Sequence, residues 1–444
     1  MRLAGDRHVG FVAMTRLLAE ATPESRNRVV DLLRAVSIIV VVFGHWTMAA
    51  LTIDHGLHAG NILSLAAWTH PFTWLFQVMP VFFLVGGYAN ARSWRSARGR
   101  NTGYGSWLRG RTRRLVLPVL PVLVCWLAVG WLALFLGAGW RTLRLASTVA
   151  LMPTWFLAAY IAVTTTTPAA LWLWRRWGWG SVAAGLGCAA VVDVTSLVSG
   201  STLAGFVNYL LVWGTVHQLG FAWLDGALAA FWKRLLLCLT GLLGTLTLVL
   251  LGPYPVSMVG VDTSTVTNTY PPRVTLLLLG MFQAGLVLMF EDPAARAMRR
   301  LRAWIVVVAL NGRIMTLYLW HITAMVLVIA LSLTLGGAGL TVAPLTSLWW
   351  ATRPVWYLVL GTVTVALVAL LGRFETPAAD TRPAPPWWRP VLAAAGVCAG
   401  LGALAVLGLA SAHGLNWALL VLPIVSVYLG GVAKPPWSGF AAAR

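Results

Sequence analysis

The sequence predicts an all-α, polytopic membrane protein with a body of ten helices and two further helices at its C-terminal end. Of the 444 residues, 59% are hydrophobic and only 10% are charged, whereas soluble domains carry roughly 25% charged residues. Apolar segments long enough to cross a bilayer recur along the chain. The basic residues that occur are nearly all arginines placed between those segments. These three observations exclude an ordinary soluble protein.

About twelve apolar segments of spanning length follow one another. Residues 1–28 precede them and carry several arginines and a short amphipathic stretch, without the pattern of a cleaved signal peptide. We expect this segment to remain attached and to lie in the cytoplasm. The predicted spans are residues 29–53, 70–91, 115–138, 147–171, 179–199, 204–224, 232–252, 273–290, 304–333, 354–372, 390–411 and 415–432.

The proline-rich stretch at residues 383–390 is the clearest linker in the chain. It separates a predicted transmembrane body, residues 29–372, from a predicted C-terminal transmembrane hairpin and tail, residues 390–444. Residues 373–389 form the connection between them. The hairpin has three possible arrangements at this stage: it packs on the body, mediates dimerisation, or does neither.

The arginines also determine the predicted orientation. Residues 92–114 contain eight arginines, whereas residues 52–70 contain neither arginine nor lysine. Because basic loops remain on the cytoplasmic side, the first segment is expected inside and the second outside. The alternation mostly continues, with Arg141 and Arg144 as the main exceptions, and both termini are expected in the cytoplasm of a plasma-membrane protein. The net charge of +20 then reflects juxtamembrane arginines and anionic lipid, and no nucleic-acid partner is expected.

One arginine and one histidine interrupt the apolar run at residues 30–46. Arg34 and His45 are eleven residues apart, so in a helix they share one face and lie about 16 Å apart along the axis. Ionisable side chains inside a span are costly and mark functional sites. Arg313 and His321 repeat this order on the ninth span, although their spacing turns them about 80° apart. The pattern predicts a channel with an anion-attracting inner end and a proton acceptor further out.

Five short motifs occur in a fixed order along the body. They are Asp31-Leu-Leu-Arg34 with His45 after ten further residues, FFLVGGY at 82–88, Arg111-Thr-Arg-Arg114 before Leu-Val-Leu-Pro, WFL at 155–157, and Leu-Tyr-Leu-Trp-His321. Together they resemble the membrane-bound acyltransferase family 3, over about residues 28–372. The resemblance implies a ten-helix bundle that takes an acyl group, usually acetyl, from cytoplasmic acyl-CoA. It further implies an O-acyltransferase, whose acceptor is a hydroxyl of a carbohydrate, lipid or secondary metabolite.

The resemblance assigns Arg34 and His45 to the signature pair of the first helix. Histidine titrates near neutral pH, so His45 is the expected general base that takes the proton of the acceptor hydroxyl. Arginine binds phosphate through several fixed donors, and the chain contains only two lysines. The expected catalytic residues are His45, Arg34 and His321, and the expected acyl-CoA-binding residues are Arg111, Arg114 and Arg313.

Acyl-CoA, with acetyl-CoA in first place, is expected as a co-substrate, and neither a bound cofactor nor a metal is expected. Gly86 stands where the family often has serine. Two alternatives remain open from the sequence. A transporter or exporter of an anionic or amphipathic solute also suits buried histidines and an arginine-lined mouth, although Asp193 is the one acidic residue that suits an intramembrane proton relay. A scaffold or sensor with an inactive site is the other, and the retained Arg34 and His45 argue against it.

Overall fold

The computed structural model describes residues 11–53, 57–261, 266–375 and 382–433, and it confirms the predicted all-α class. Two short hairpins are formed by the strands β1 (Ala49–Ile53), β2 (Leu57–Asn61), β3 (Ala410–Ser411) and β4 (Gly414–Leu415), and 3₁₀ turns cover Ala67–Phe72 and Gly372–Glu375. The α-helices are α1 (Phe11–Glu20), α2 (Arg28–Met48), α3 (Ile62–Leu65), α4 (Thr73–Phe76), α5 (Met79–Gly99), α6 (Tyr104–Val116), α7 (Val119–Phe135), α8 (Trp140–Leu151), α9 (Thr154–Trp177), α10 (Trp179–Ser199), α11 (Thr202–Gly205), α12 (Asn208–Leu224), α13 (Phe231–Leu251), α14 (Val274–Met289), α15 (Glu291–Ala297), α16 (Leu301–Asn311), α17 (Ile314–Thr334), α18 (Ser347–Leu371), α19 (Trp388–Leu407) and α20 (Trp417–Leu429).

Each of the about twelve predicted spans has a helical counterpart among the described residues. Eight helices are long and apolar enough to cross a membrane, or ten if α6 with α7 and α14 with α15 each count as one bent span. The other two counterparts are shorter, because α12 has 17 residues and α20 has 13. The described part of the chain therefore contains eight to ten full-length spans, fewer than the sequence predicted.

The helix α2 contains both ionisable residues of the first predicted span in one continuous helix. The side chain of Asn27 caps its start by accepting a hydrogen bond from the backbone N–H of Val29 at 3.0 Å. The helix ends at Met48, five residues before the predicted end, and the chain continues as the β1–β2 hairpin. The strand β1 was not predicted, because Ala49–Ile53 extend the apolar pattern of the helix without interruption.

The ninth predicted span is broken. It forms α16 and α17, which are separated at Gly312 and Arg313. Arg313 is the N-cap residue of α17, with φ of −133° and ψ of 18°, and lies outside the regular helix. The predicted angle of about 80° between Arg313 and His321 is therefore wrong, since it assumed one continuous helix.

Glycines allow the central helices α5 and α12 to pack closely. A Cβ atom at Gly87 would lie 1.9 Å from the backbone oxygen of His217, and one at Gly220 would lie 2.2 Å from the backbone oxygen of Leu84. Small residues at such crossings let two backbones approach. Close helix approach is thus the structural role of Gly87, and it brings α5 and α12 into one buried core.

The two C-terminal helices pack on the body. In α9, the Thr154 hydroxyl donates a 3.0 Å hydrogen bond to the backbone oxygen of Leu401 in α19. The Arg109 guanidinium of α6 donates to the backbone oxygens of Pro383 and Arg382 at 2.7 and 3.0 Å. The predicted linker is therefore attached to the arginine-rich segment, and the hairpin is part of the same bundle.

Asp193 is fully buried at a junction of three helices. Its carboxylate accepts hydrogen bonds of 2.7 Å from the side chain of Asn208 and from the backbone N–H of Val274, and it lies 3.4 Å from the Arg273 guanidinium. A carboxylate at the first turn of α14 is also favoured by the helix dipole. These contacts tie α10, α12 and α14 together, which accounts for an acidic residue in the bundle in structural terms.

Candidate active site

Two histidines, one from α2 and one from α17, lie in direct contact. Nδ1 of His45 is 2.9 Å from Nε2 of His321, and the two rings are inclined by only 13° with their centroids 5.2 Å apart. His321 is fully buried, whereas His45 is partly exposed. The structure therefore brings together two of the predicted catalytic residues from distant parts of the chain.

A backbone carbonyl fixes the direction of proton donation in this pair. Nδ1 of His321 is 2.6 Å from the backbone oxygen of Tyr318, and because a carbonyl only accepts, this nitrogen carries the hydrogen. In the neutral ring, Nε2 of His321 is then an acceptor, and the Nδ1–H of His45 donates to it. The lone pair of His45 is left on Nε2, which has no hydrogen-bond partner among the described residues. We call the Tyr318 carbonyl, His321 and His45 the histidine relay.

Hydrogen bonds to neighbouring helices hold the relay in place. The indole N–H of Trp46 donates to the backbone oxygen of His321 at 3.2 Å, which joins α2 directly to α17. The hydroxyl of Tyr318 donates to the backbone oxygen of Pro153 at 3.0 Å, just before α9 begins. Three elements thus restrict the relay, and its geometry is that of a base whose orientation is set by a second ring.

Arg34 lies one-quarter exposed near the opposite end of α2 and is only weakly paired. Its guanidinium is 3.5 Å from a carboxylate oxygen of Asp31. Arg26 engages both oxygens of the same carboxylate at 2.7 and 3.0 Å. Because the acid is already neutralised by Arg26, a simple ion pair with Asp31 does not account for Arg34.

Three of the predicted arginines converge at this end of α2. Arg34 and Arg114 lie near enough to Arg111 for their positive charges to repel its own, and the phenol of Tyr160 lies near it as well. Arg114 is exposed and Arg111 partly exposed. We call Arg34, Arg111 and Arg114 the arginine cluster. A concentration of positive charge beside buried helices attracts a multivalent anion.

Asn90 holds Arg111 in position. Its side-chain oxygen accepts a hydrogen bond from the Arg111 guanidinium, and its amide nitrogen lies 3.1 Å from both the Thr164 hydroxyl and Nε2 of His217. Since the amide nitrogen only donates, Nε2 of His217 accepts, and its Nδ1 carries a hydrogen that has no partner among the described residues. Neither Asn90 nor His217 was predicted from the sequence to belong to the site. An asparagine between the apolar run of α5 and the arginine-rich segment was the available signal in the sequence, and the structure shows that it is fully buried.

A row of aromatic rings connects the two clusters. From the histidine relay, the ring of Tyr318 is 5.4 Å from that of Phe156, which is 5.8 Å from that of Tyr160. Tyr160 in turn interacts with Arg111. The arginine cluster and the relay are thus two ends of one continuous, largely apolar wall, although the channel itself remains a prediction.

Comparison with known families agrees with this arrangement. A family model described as an acyltransferase domain matches residues 27–373. The chain belongs to the acyltransferase family 3 membrane proteins. The matched region begins just before α2 and ends in the 3₁₀ turn after α18, so both clusters lie inside it, whereas α19 and α20 lie outside. No curated protein and no solved structure matches the chain.

In this acyltransferase, the ring of Tyr160 occupies the space beside Gly86. A Cβ atom at Gly86 would lie 2.6 Å from Cε2 and 2.9 Å from the hydroxyl oxygen of Tyr160. The serine that the family often has at this position would therefore collide with the phenol. The hydroxyl of Tyr160 has no hydrogen-bond partner among the described residues, and it places a polar group where the serine is missing.

Arg313 is placed apart from the arginine cluster of the acyltransferase. Its guanidinium donates to the backbone oxygen of Gly372, the C-cap residue of α18. Glu375 accepts hydrogen bonds of 2.9 Å from the backbone N–H groups of Met315 and Thr316 at the start of α17. A cation at a helix C-terminus and a carboxylate at a helix N-terminus are both stabilising. These contacts give Arg313 a structural function, and its predicted contact with acyl-CoA remains untested.

Proposed function

We propose that this membrane acyltransferase transfers an acyl group, in first place acetyl, from cytoplasmic acyl-CoA to a hydroxyl of a carbohydrate, lipid or secondary metabolite. His45 is the general base. The observation that supports this most directly is the histidine relay, which leaves the lone pair of His45 on a nitrogen without a hydrogen-bond partner among the described residues, in a partly exposed side chain. We further propose that the protein lies in the plasma membrane with both termini in the cytoplasm.

The reaction needs one proton transfer in each direction. Nε2 of His45 takes the proton of the acceptor hydroxyl as its oxygen attacks the thioester carbonyl. The tetrahedral intermediate collapses, the carbon–sulfur bond breaks, and the imidazolium returns the proton to the departing thiolate of CoA. His321 acts through His45, because it holds the hydrogen on Nδ1 and so keeps Nε2 available.

The donor site is the arginine cluster. CoA carries a pyrophosphate and a ribose phosphate, and Arg34, Arg111 and Arg114 supply guanidinium groups that bind phosphates with several hydrogen bonds each. The thin pantetheine arm then follows the aromatic wall towards His45, about 16 Å along α2 from Arg34. Arg313 donates to the backbone oxygen of Gly372 between α17 and α18, and its expected contact with acyl-CoA stays a prediction.

The central experiment uses His45→Ala in purified protein, with radiolabelled acetyl-CoA and a panel of glycans, lipids and metabolites as acceptors. Loss of a general base lowers turnover about 100- to 10,000-fold, whereas CoA binding measured by calorimetry is expected to be unchanged. His413→Ala is the matched control, because His413 is an exposed residue of the β3–β4 turn. A folded His45→Ala protein that acylates at the wild-type rate would contradict the assignment.

A second experiment tests the donor site. Arg111→Gln is expected to weaken CoA binding about tenfold or more, since hydrogen bonds to charged groups contribute roughly 1.5–3 kcal/mol. Arg111→Lys is not expected to restore it, because an ammonium lacks the planar fork of arginine. Arg98→Gln is the control, because Arg98 is exposed in the same basic segment. Solute flux into proteoliposomes without any CoA thioester would favour a carrier.

A further inference from the structure

A buried arginine lies at the end of α2 that is remote from the arginine cluster. Arg353 of α18 is 6% exposed, and its guanidinium lies 4.1 Å from the ring centroid of Trp349 and 5.4 Å from that of Trp356. Together with β1 and the loop after α17, these side chains line a small recess. Its lining residues are Ala49, Leu51, Gly339, Leu340, Trp349, Arg353 and Trp356.

The guanidinium of Arg353 is incompletely satisfied. Its Nε donates to the backbone oxygen of Trp349 at 3.3 Å. Its two terminal nitrogens have neither a hydrogen-bond acceptor nor a carboxylate partner among the described residues. Cation–π contact with two indoles offsets part of the cost of burying the charge, but it leaves the remaining N–H donors unpaired. A buried charge normally has a hydrogen-bonded counter-charge.

The recess is connected to the histidine relay. The indole N–H of Trp356 donates to the backbone oxygen of Trp46 at 3.2 Å, and Trp46 donates to the backbone oxygen of His321. Ala49 in the recess follows His45 by one helical turn. The recess therefore lies about one helical turn, roughly 6 Å, from His45 along the chain of α2.

We propose that Arg353 binds a carboxylate or phosphate group of the acyl acceptor, so that the acceptor is an anionic molecule bearing a hydroxyl. This rests on the proposed function, because it assumes that His45 receives an acceptor. The recess has a volume of about 10 Å³, which is enough for roughly one water molecule. The recess thus accommodates a single charged group at its mouth, and the hydroxyl-bearing part of the acceptor lies outside it, towards His45.

The test measures anion binding directly, independently of acyl transfer. The purified protein is kept in neutral detergent with saturating CoA, which fills the arginine cluster, and equilibrium dialysis is performed with radiolabelled D-glucuronate, inorganic phosphate or D-glucose. The variants are Arg353→Gln and Arg353→Lys. Arg141→Gln is the matched control, because Arg141 is an exposed arginine stacked on Trp140 at 5.5 Å.

The wild-type protein and Arg141→Gln are expected to bind glucuronate or phosphate saturably and glucose not at all. Arg353→Gln is expected to lose at least about tenfold in affinity, and Arg353→Lys is expected to retain part of it, since it keeps the charge and loses the planar fork. Glucuronate binding alone indicates a carboxylate acceptor, and phosphate binding alone indicates a phosphorylated one. Unchanged CoA binding shows that each variant is folded.

Equal anion binding by the wild-type protein and Arg353→Gln would overturn the proposal. So would loss of the anion binding in bilayers that contain phosphatidylglycerol, because a lipid head group would then be the occupant of Arg353. Failure of the proposed function gives a different result, namely no CoA release from acetyl-CoA with any acceptor of the panel. The anion binding measured by dialysis does not depend on that result.

Discussion

Replacing His321 with leucine tests the histidine relay without touching the proposed base. In the wild-type protein, the 2.9 Å contact between His321 and Nδ1 of His45 keeps the hydrogen on that nitrogen. In His321→Leu this acceptor is absent. The Nδ1–H of His45 then either has no acceptor, or the hydrogen shifts to Nε2. In this second tautomer Nε2 carries the hydrogen and cannot take a proton.

The size of the effect follows from the energy of one buried donor. An unsatisfied donor costs about 1–3 kcal/mol, and each 1.36 kcal/mol changes a rate tenfold. The expected fall in kcat/KM for His321→Leu is therefore about 5- to 150-fold. His321→Gln supplies a side-chain oxygen as acceptor and is expected to recover most of the loss. His45→Ala is expected to lower kcat/KM further, because it removes the proposed base itself.

The assay is release of CoA thiol from acetyl-CoA by membranes that contain equal amounts of each variant. Because His321 acts through His45, the double variant His45→Ala/His321→Leu should be no slower than His45→Ala alone. Rate losses that multiply in the double variant would show that His321 takes part independently. An unchanged rate in His321→Leu would refute the tautomer argument altogether.

Three further predictions concern stability. Gly86→Ser is expected to lower the free energy of unfolding by about 1–3 kcal/mol through overpacking against Tyr160, and an unchanged thermal midpoint in detergent would contradict this. Asp193→Ala is expected to lower the free energy of unfolding by about 3–5 kcal/mol, because it leaves the buried guanidinium of Arg273 without its carboxylate. Thermal unfolding without chemical denaturant measures this loss. Hydrogen bonds from Arg95 hold the pKa of Asp225 below its ordinary value of 3.8. The carboxylate therefore stabilises the fold above that pH, and the stabilisation is lost as the pH falls through the folded pKa. The midpoint difference between wild-type protein and Asp225→Asn should shrink in that range, and a difference independent of pH would contradict the pairing.

The sequence was most informative where an apolar segment of spanning length contains one or two isolated polar residues. The span containing Arg34 and His45 is a single helix, and the histidine of α17 is its neighbour, as expected from similar depth in the membrane. Gly312 and Arg313 break the ninth span, and this was missed because both flanking segments are equally apolar. Composition does not reveal a helix start whose free backbone N–H groups are paired with a distant residue. Here the carboxylate of Glu375 accepts hydrogen bonds from the N–H groups at the start of α17.

The polar groups missed from sequence share one property. Asn90, His217 and Tyr160 lie within or beside apolar runs, where a satisfied structural role is the usual explanation for a single polar residue. Their relation to Arg111 depends on how α5, α9 and α12 pack, which one sequence does not show. Arg353 escaped notice for the same reason, since an arginine near the end of a span is generally taken for an interfacial anchor.

The histidine relay ends at the backbone oxygen of Tyr318 and not at a carboxylate. With both rings in their neutral form, the described residues around the relay contain no uncompensated charge and no buried acid that requires its own partner. An imidazolium formed at His45 has only a carbonyl dipole behind it, and it is therefore short-lived. Such a base is suited to a proton that is borrowed from the acceptor hydroxyl and returned within the same turnover, and it is poorly suited to storing a proton for release across the membrane.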